Sequence, residues 1–525
     1  MLGRILGQEG GGDLRRDREQ ERRTLPDAGK VPRCGRGRRR HRDLHGRERV
    51  GVGRGGRARE HAEYRLDEVR LLPPAWDDDP RVPPAVRDLY RLQAASAEPW
   101  EGPAAIVFAD GRHVGALVDR NGFRPFRTLE TTDGLVCGGS EAGLFDVPPS
   151  QVAARGRLGP GEMIAVDLER HEVSRGTELQ LALAAGHPGA PLPAPGVYRL
   201  RSARAAGGPR DEDVEHLQRF FGWTREEPDL IVRPIACEAH EAVGSMGDDA
   251  TLAALSVRPR PLADYFRQRF AQVTNPPLDP LRESAVMSLR ALVGARGSWM
   301  PGGAPAAVLE LESPVLEGAQ MAALLEQQQV RAAILPIGFP AADDPDAWAA
   351  VTRLQDAACA LVAKGTRVLV LSDRHLPGGE AAVPSLVAVA AVDQALRDRG
   401  LRLRAGIVVE TGDVRDAHQL AVLCGFGASA VHPYLLFAAA ARMGGGSGPA
   451  RARTAIEAGL LKVLSKMGVC TFEAYCGGRL FDAIGLDARL SASLFGGCGA
   501  LPGDLTLERL FGHSLERRRA AMGAA

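Results

Sequence analysis

The four residues Asp119-Arg120-Asn121-Gly122 follow an apolar run and can set two hydrogen-bond donors side by side, the Asn121 amide and the Gly122 N–H. An amide hydrolase working through a tetrahedral intermediate needs such donors where the oxyanion develops. It also needs a carboxylate for the α-ammonium of an amino-acid substrate, and Asp146 follows one hairpin later, after Gly139-Ser140-Glu141-Ala142-Gly143-Leu144-Phe145. Asn-Gly is equally a common turn pair, so the residues alone leave both readings open. A second set of polar groups, Ser372-Asp373-Arg374, Glu410-Thr411 and His432-Pro433-Tyr434, stands at the carboxyl ends of apolar runs, where α/β proteins gather functional groups. Those groups can equally cap helices and satisfy loop amides.

The elements that must position these groups differ along the chain. From about 67 to 205 the pattern is antiparallel β. AAIVFA and RHVGALVD flank Asp110-Gly111, which predicts a hairpin with a type I′ turn. FRTLETT and LVCGGS flank Asp133-Gly134, and Pro160-Gly161 opens a further strand, MIAVD. Pro188 to Pro195 reads as a linker. Residues 206 to about 310 read as mostly helical and turn-rich, with PLADYFRQRFAQV as an amphipathic helix stopped at Asn275-Pro276-Pro277 and GSMGDD as a tight polar loop. From 311, continuous apolar runs alternate with helical periods: AAILPIGF, TRVLVLSD, AGIVVETG and ASAVHPYLLF as strands, with helices between and Gly365, Gly400 and Gly425 as C-caps. This alternation predicts βαβ units and a parallel sheet covered on both faces.

Composition sets outer limits. With 525 residues, 45% hydrophobic and 25% charged, the chain can build two or three cores, and no run reaches the roughly 20 apolar residues of a membrane span. A net charge of +1 provides no global field for nucleic acid or anionic lipid. Residues 1–66 are dense in Arg and Gly without apolar period, so disorder is expected there. They lack the interleaved aromatics of a nucleic-acid platform. The eight cysteines are scattered without a CxxC pair, which suits a reducing, cytoplasmic setting. His240, His418 and His432 have no second ligand at a metal spacing.

Several long segments carry a family resemblance. EPWEGPAAIVFADGRHVGALVDRNGFRPFR is similar to the class II glutamine amidotransferase domain of glutamate synthase, and DDATLAALSVRPRPLADYFRQRFAQVTNPPLDPLRE resembles the last part of that domain. LSDRHLPGGEAAVPSLVAVAAVDQAL, VVETGDVRDAHQLAVLCGFGASAVHPYL and GLLKVLSKMGVCTFEAYCGGRLFDAIGL resemble the family's central domain. The likeness covers about 72 to 516 in unbroken order. It implies an α+β amidotransferase of the Ntn-hydrolase type, present in part, followed by an α/β central domain with a parallel sheet. It implies that Asn121 and Gly122 are the oxyanion-hole pair and that Asp146 binds the amino group of L-glutamine. It implies a reaction in which the amide nitrogen of glutamine passes through a tunnel to 2-oxoglutarate, giving glutamate.

The departures from that pattern shape the expectations. The family's nucleophile is an N-terminal cysteine, whereas this sequence opens Met1-Leu2-Gly3, and Cys34 lies in the Arg-rich stretch. FMN and an iron–sulfur cluster belong to the complete family enzyme, and none is expected in this chain. Cys470 and Cys476 have the family's cluster spacing, but Phe481 stands at the next expected position. The expected organisation is 1–66 as a disordered segment, either out-of-frame or a substituted arm, 67–310 as the back part of the amidotransferase domain, 311–516 as the central domain and 517–525 as a tail. Such a chain is expected to be an incomplete glutamate synthase large subunit, inactive alone, with unpaired strand edges. Its expected partners are glutamine and flavin-barrel or small-subunit polypeptides, without membrane or nucleic acid. The alternative is a non-catalytic glutamine-binding or docking component of a split enzyme.

Overall fold

Alternating side chains flanking an Asp-Gly pair build the first hairpin. Strand β1 (Ala105–Ala109) pairs antiparallel with β2 (His113–Val118) in the register Ala109↔Val114. The turn is not type I′, which needs positive φ at both central residues. Only Gly111 has it (φ 95°), because Asp110 caps the turn by accepting the amides of Arg112 (2.9 Å) and His113 (2.6 Å). The second hairpin joins β3 (Arg127–Thr131) to β4 (Val136–Gly139) through Gly134 at φ 87°. Then come β5 (Val152–Arg157), β6 (Met163–Asp167) and β7 (Glu172–Arg175). They complete two antiparallel sheets, ordered β1-β2-β6-β7 and β4-β3-β5.

The computed structural model describes residues 72–77, 79–185, 196–200, 211–243, 251–271, 277–298 and 304–523, all within the unit Gly56–Ala525. The Arg/Gly-rich segment 1–66, the Pro188–Pro195 linker and the GSMGDD loop lie outside the described residues.

Three further strands, β8 (Gly196–Arg199), β9 (Phe266–Gln268) and β10 (Ala291–Ala295), precede β11 (Ala307–Leu311). The helix expected over PLADYFRQRFAQV is not formed. Leu262–Tyr265 makes one short 3-10 turn and Phe266–Gln268 becomes β9. The reason is tertiary. Phe266 is fully buried against Phe426, Phe481 and Phe495, and its strand pairs with a segment beginning at Phe481.

The back of the chain follows the predicted alternation. β12 (Ala332–Pro336), β13 (Gly338–Pro340), β14 (Val368–Ser372), β15 (Glu380–Ala382), β16 (Gly406–Glu410) and β17 (Ala430–His432) succeed one another. Among them β12-β14-β16-β17 form a parallel sheet. The intervening helices are Ala347–Ala363, Ser385–Asp398 and Ala417–Gly425. Every residue of β14, β16 and β17 is buried, as a sheet covered on both faces requires. Two details differ from expectation. The strand through ASAVHPYLLF ends at His432, because Pro433 breaks it and Tyr434–Gly444 is helical. Gly425 is the last helical residue, and Gly427 at φ 115° turns the chain.

One continuous apolar core runs from Val214 to Leu515. The front sheets carry two small clusters instead, one around Trp76, Tyr90 and Leu117 and one around Val118, Phe126 and Ile164.

Candidate functional site

The loop after β2 is organised by Asp119, for which the sequence alone offers no role. Its Oδ1 accepts the amides of Asn121 (3.0 Å) and Phe123 (3.1 Å), and its Oδ2 accepts those of Ala104 and Arg124 (both 3.1 Å). Its carbonyl accepts Gly122 N–H and Gly161 N–H, each at 2.9 Å. Four amides on one carboxylate fix the conformation in which Gly122 takes φ 65°. A Cβ there would stand 3.1 Å from the Pro160 backbone, so a side chain would be strained in torsion and tight against Pro160.

Asn121 is 5% exposed and turned toward the back of the chain. Its Nδ2 donates to Cys470 Sγ at 2.9 Å, and its Oδ1 has no partner among the described residues. Beside it Glu101 accepts the Thr471 N–H (3.0 Å) and the Thr471 hydroxyl (2.8 Å). Burial raises the Glu101 carboxyl and pushes the Cys470 thiol well up, so Cys470 is no thiolate. Arg120, also 5% exposed, donates to Val286 O (2.6 Å), Pro74 O (3.0 Å) and Asp77 Oδ2 (3.1 Å). Arg290, stacked on Trp76, donates to the other Asp77 oxygen at 2.8 Å. Burial alone would raise the Asp77 carboxyl, but the two arginines outweigh it and hold it below its ordinary value.

Asp146 lies elsewhere. It is exposed, in the loop after β4, and lines a cavity of about 490 Å³ whose walls include Arg127, Glu141, Phe145 and Arg155. The structure therefore brings Asn121 and Gly122 together on one loop and leaves Asp146 on the flank of the other sheet. The Cys470 partner of Asn121 and the neighbouring Glu101–Thr471 pair do not follow from the sequence. Only the pairing of distant segments brings them together.

The polar groups at the carboxyl ends of the parallel strands do converge. Ser372 Oγ donates to Glu410 Oε2 (2.7 Å), Arg374 donates to Glu410 Oε1 (3.1 Å), and Gly412 N–H donates to Asp373 Oδ1 (3.1 Å). The Arg374 guanidinium lies 5.3 Å from the centre of the Tyr434 ring. Burial and the Asp413 carboxylate lift the Asp373 carboxyl well above its ordinary value. His432 and His418 face the carbonyls of Leu316 (2.7 Å) and Ala263 (3.1 Å), and His240 faces that of Glu241 (2.9 Å). Most of this cluster is thus occupied by its own members.

Among the described residues no group of three or more His, Cys, Asp or Glu is placed to hold a metal ion. Cys470 and Cys476 do not fit an iron–sulfur site, which needs a full thiolate set: one thiol takes the Asn121 amide and the other faces Ala428 O at 3.4 Å. No helix of the described residues is long and apolar enough to cross a membrane.

The model of the glutamate synthase central domain matches residues 216–487, more than half of the chain, and that of the class-II glutamine amidotransferases matches 58–190. The chain belongs to the glutamate synthase family. Its central-domain match begins at 216, inside the 67–310 segment, and agrees with a core that starts at Val214. The ferredoxin-dependent glutamate synthase 2, chloroplastic, of Arabidopsis thaliana is 37% identical over 470 residues, 84% of this chain and 29% of that protein. The glutamate synthase [NADPH] large chain of Azospirillum brasilense is 38% identical over 82% of this chain and 29% of its own length. The glutamate synthase [NADH] of Schizosaccharomyces pombe is 33% identical over 84% of this chain and 22% of its own. This member of the family thus spans less than a third of those relatives. Their names carry three different electron donors, so the shared region does not distinguish the donor. A flavocytochrome b2 mutant matches 26% of the chain and 34% of its own, at TM-score 0.22 and 19% identity, too slight a likeness to argue from.

Proposed function

We propose that this chain serves glutamate biosynthesis as the glutamine-handling and central part of a glutamate synthase large subunit, in which the amide nitrogen of L-glutamine is passed on to 2-oxoglutarate. In this reading the front sheets are the back part of an Ntn-hydrolase-type amidotransferase. Asn121 Nδ2 and Gly122 N–H stabilise the oxyanion, and Asp146 receives the substrate's amino group once its loop closes. FMN and iron–sulfur chemistry are assigned to no described residue, and flavin-barrel or small-subunit polypeptides are the expected partners.

The observation that carries the reading is the Asn121–Cys470 contact. It ties the oxyanion-hole candidate directly to the central domain, as coupling between a glutamine site and a central domain requires. The same contact argues that this chain alone is idle. The one thiol beside Asn121 is buried and protonated, and its sulfur occupies the amide that an oxyanion would need. Ammonia release from glutamine by the purified chain, compared with Asn121→Ala, tests this. We expect no difference between the two. Release by the parent well above the variant would overturn the idleness and identify Asn121 as active in the chain by itself.

A further inference from the structure

At the amino ends of the parallel strands, opposite the Ser372–Tyr434 cluster, lies a second polar cavity of about 250 Å³. Its walls include Glu98, Arg296, Arg397, Arg402, Cys476 and Gly477, together with Gly406 at the start of β16. The charges around it do not balance. Asp393, fully buried, accepts from Arg397 (2.7 Å), Arg402 and Arg479 (3.1 Å), three guanidiniums on one carboxylate. Arg296 pairs with Glu473, and Glu98 feels Arg296, Arg397, Arg402 and Glu473. On the cavity wall itself three guanidiniums, Arg296, Arg397 and Arg402, therefore face two carboxylates, Glu98 and Glu473, in a half-enclosed space where positive potential is focused.

The spare donors point to where that charge is unmet. Arg402 spends its nitrogens on Asp393, Ala405 O (2.9 Å) and Gly427 O (3.0 Å). Arg397, whose side chain is 46% exposed, spends only Nε on a described residue, so its two terminal nitrogens face solvent and are open to a ligand entering the cavity. Its Nη2 lies across Gly477, 3.1 Å from where a Cβ would stand, so Gly477 leaves the fork open toward the cavity. A guanidinium fork of this kind matches the two oxygens of a carboxylate or phosphoryl group.

We propose that this cavity binds a small oxyanion, a carboxylate or phosphoryl group, through the terminal nitrogens of Arg397, with Arg296 completing the positive wall. The ligand would lie between Glu98, in the amidotransferase match, and Arg397 and Cys476, in the central-domain match, so its binding bears on how the two parts are held together. This inference does not depend on glutamine chemistry.

Titration calorimetry on the full chain at constant ionic strength in chloride, with inorganic phosphate in one arm and succinate in the other, tests it. We expect saturable one-site binding of at least one, and the arm that binds tells phosphoryl from carboxylate. Arg397→Ala should weaken it at least tenfold, and Glu98→Gln should tighten it severalfold. Arg399→Ala, on the same helix but paired outward with Asp356, should leave it unchanged. No saturable heat in either arm would overturn the site. So would binding that Arg397→Ala, shown folded by circular dichroism, leaves intact, or binding that Glu98→Gln fails to strengthen.

Discussion

The front sheets and the back domain solve the same problem by different means. From Val214 onward one core holds the parallel sheet, its helices and the aromatic cluster of Phe266, Phe426, Phe481 and Phe495. The front sheets own only two small clusters, and β5 is exposed along nearly its whole length. They are held to the back by buried polar ties: Arg120 and Arg290 on Asp77, Glu101 on Thr471, and Asn121 on Cys470. A region with little core of its own borrows order from a neighbour, and here the candidate glutamine loop is one of the ties. Its geometry depends on the docking.

That contrast can be broken in several places. Asp393→Ala should be the most damaging, about 3–5 kcal/mol, because it strands three guanidiniums around a buried site. Chemical denaturation would read it as a lowered midpoint for the back domain. Leu371→Ala, fully buried in β14, should cost about 2–5 kcal/mol through the cavity it leaves. It should unfold back and front together, while Leu117→Ala in β2 should loosen the front alone, as hydrogen exchange of β1, β2 and β6 would show. Arg120→Ala should cost about 1.5–3 kcal/mol, since it removes charged hydrogen bonds. Its signature is selective: faster proteolysis of residues 79–185 with the back domain's exchange unchanged.

Protonation probes each region through one carboxyl, because Asp77 in the front and Asp373 in the back are shifted in opposite directions. Asp77 is held below its ordinary value, so the support it lends is full above the ordinary carboxylate range and drains away as pH falls through the folded value. Asp373 is lifted by burial and Asp413, so its contribution is full below that range and is lost as pH rises through the raised value. Melting temperatures over roughly pH 3 to 8 should lose their acid-side slope in Asp77→Asn and their slope toward neutral pH in Asp373→Asn. The smallest effect belongs to β1. Val107 is 65% exposed on an edge strand, and Val107→Thr should change stability by less than about 0.5 kcal/mol while reducing association at high concentration, seen by light scattering.

The sequence made the hairpins and the βαβ alternation legible because both rest on local signals. Gly134 at φ 87°, the continuous apolar runs of β14 and β16, and Gly365 and Gly400 at positive φ all follow from neighbours a few residues away. PLADYFRQRFAQV misled because Leu262, Tyr265 and Phe266 fit a helical period, while the pairing of β9 with the segment from Phe481 decided the outcome.

The same division governs the candidate site. Residue types and order were enough to propose Asn121, Gly122 and Asp146, and to place the chain beside its family. Only the tertiary structure sends Asn121 to Cys470, leaves Asp146 on another cavity and gathers four arginines around three carboxylates near Asp393. The Arg397–Asp393 pair is an i,i+4 contact on one helix, but the Asn121–Cys470 tie joins segments hundreds of residues apart and carries no local period, so reading along the chain does not anticipate it.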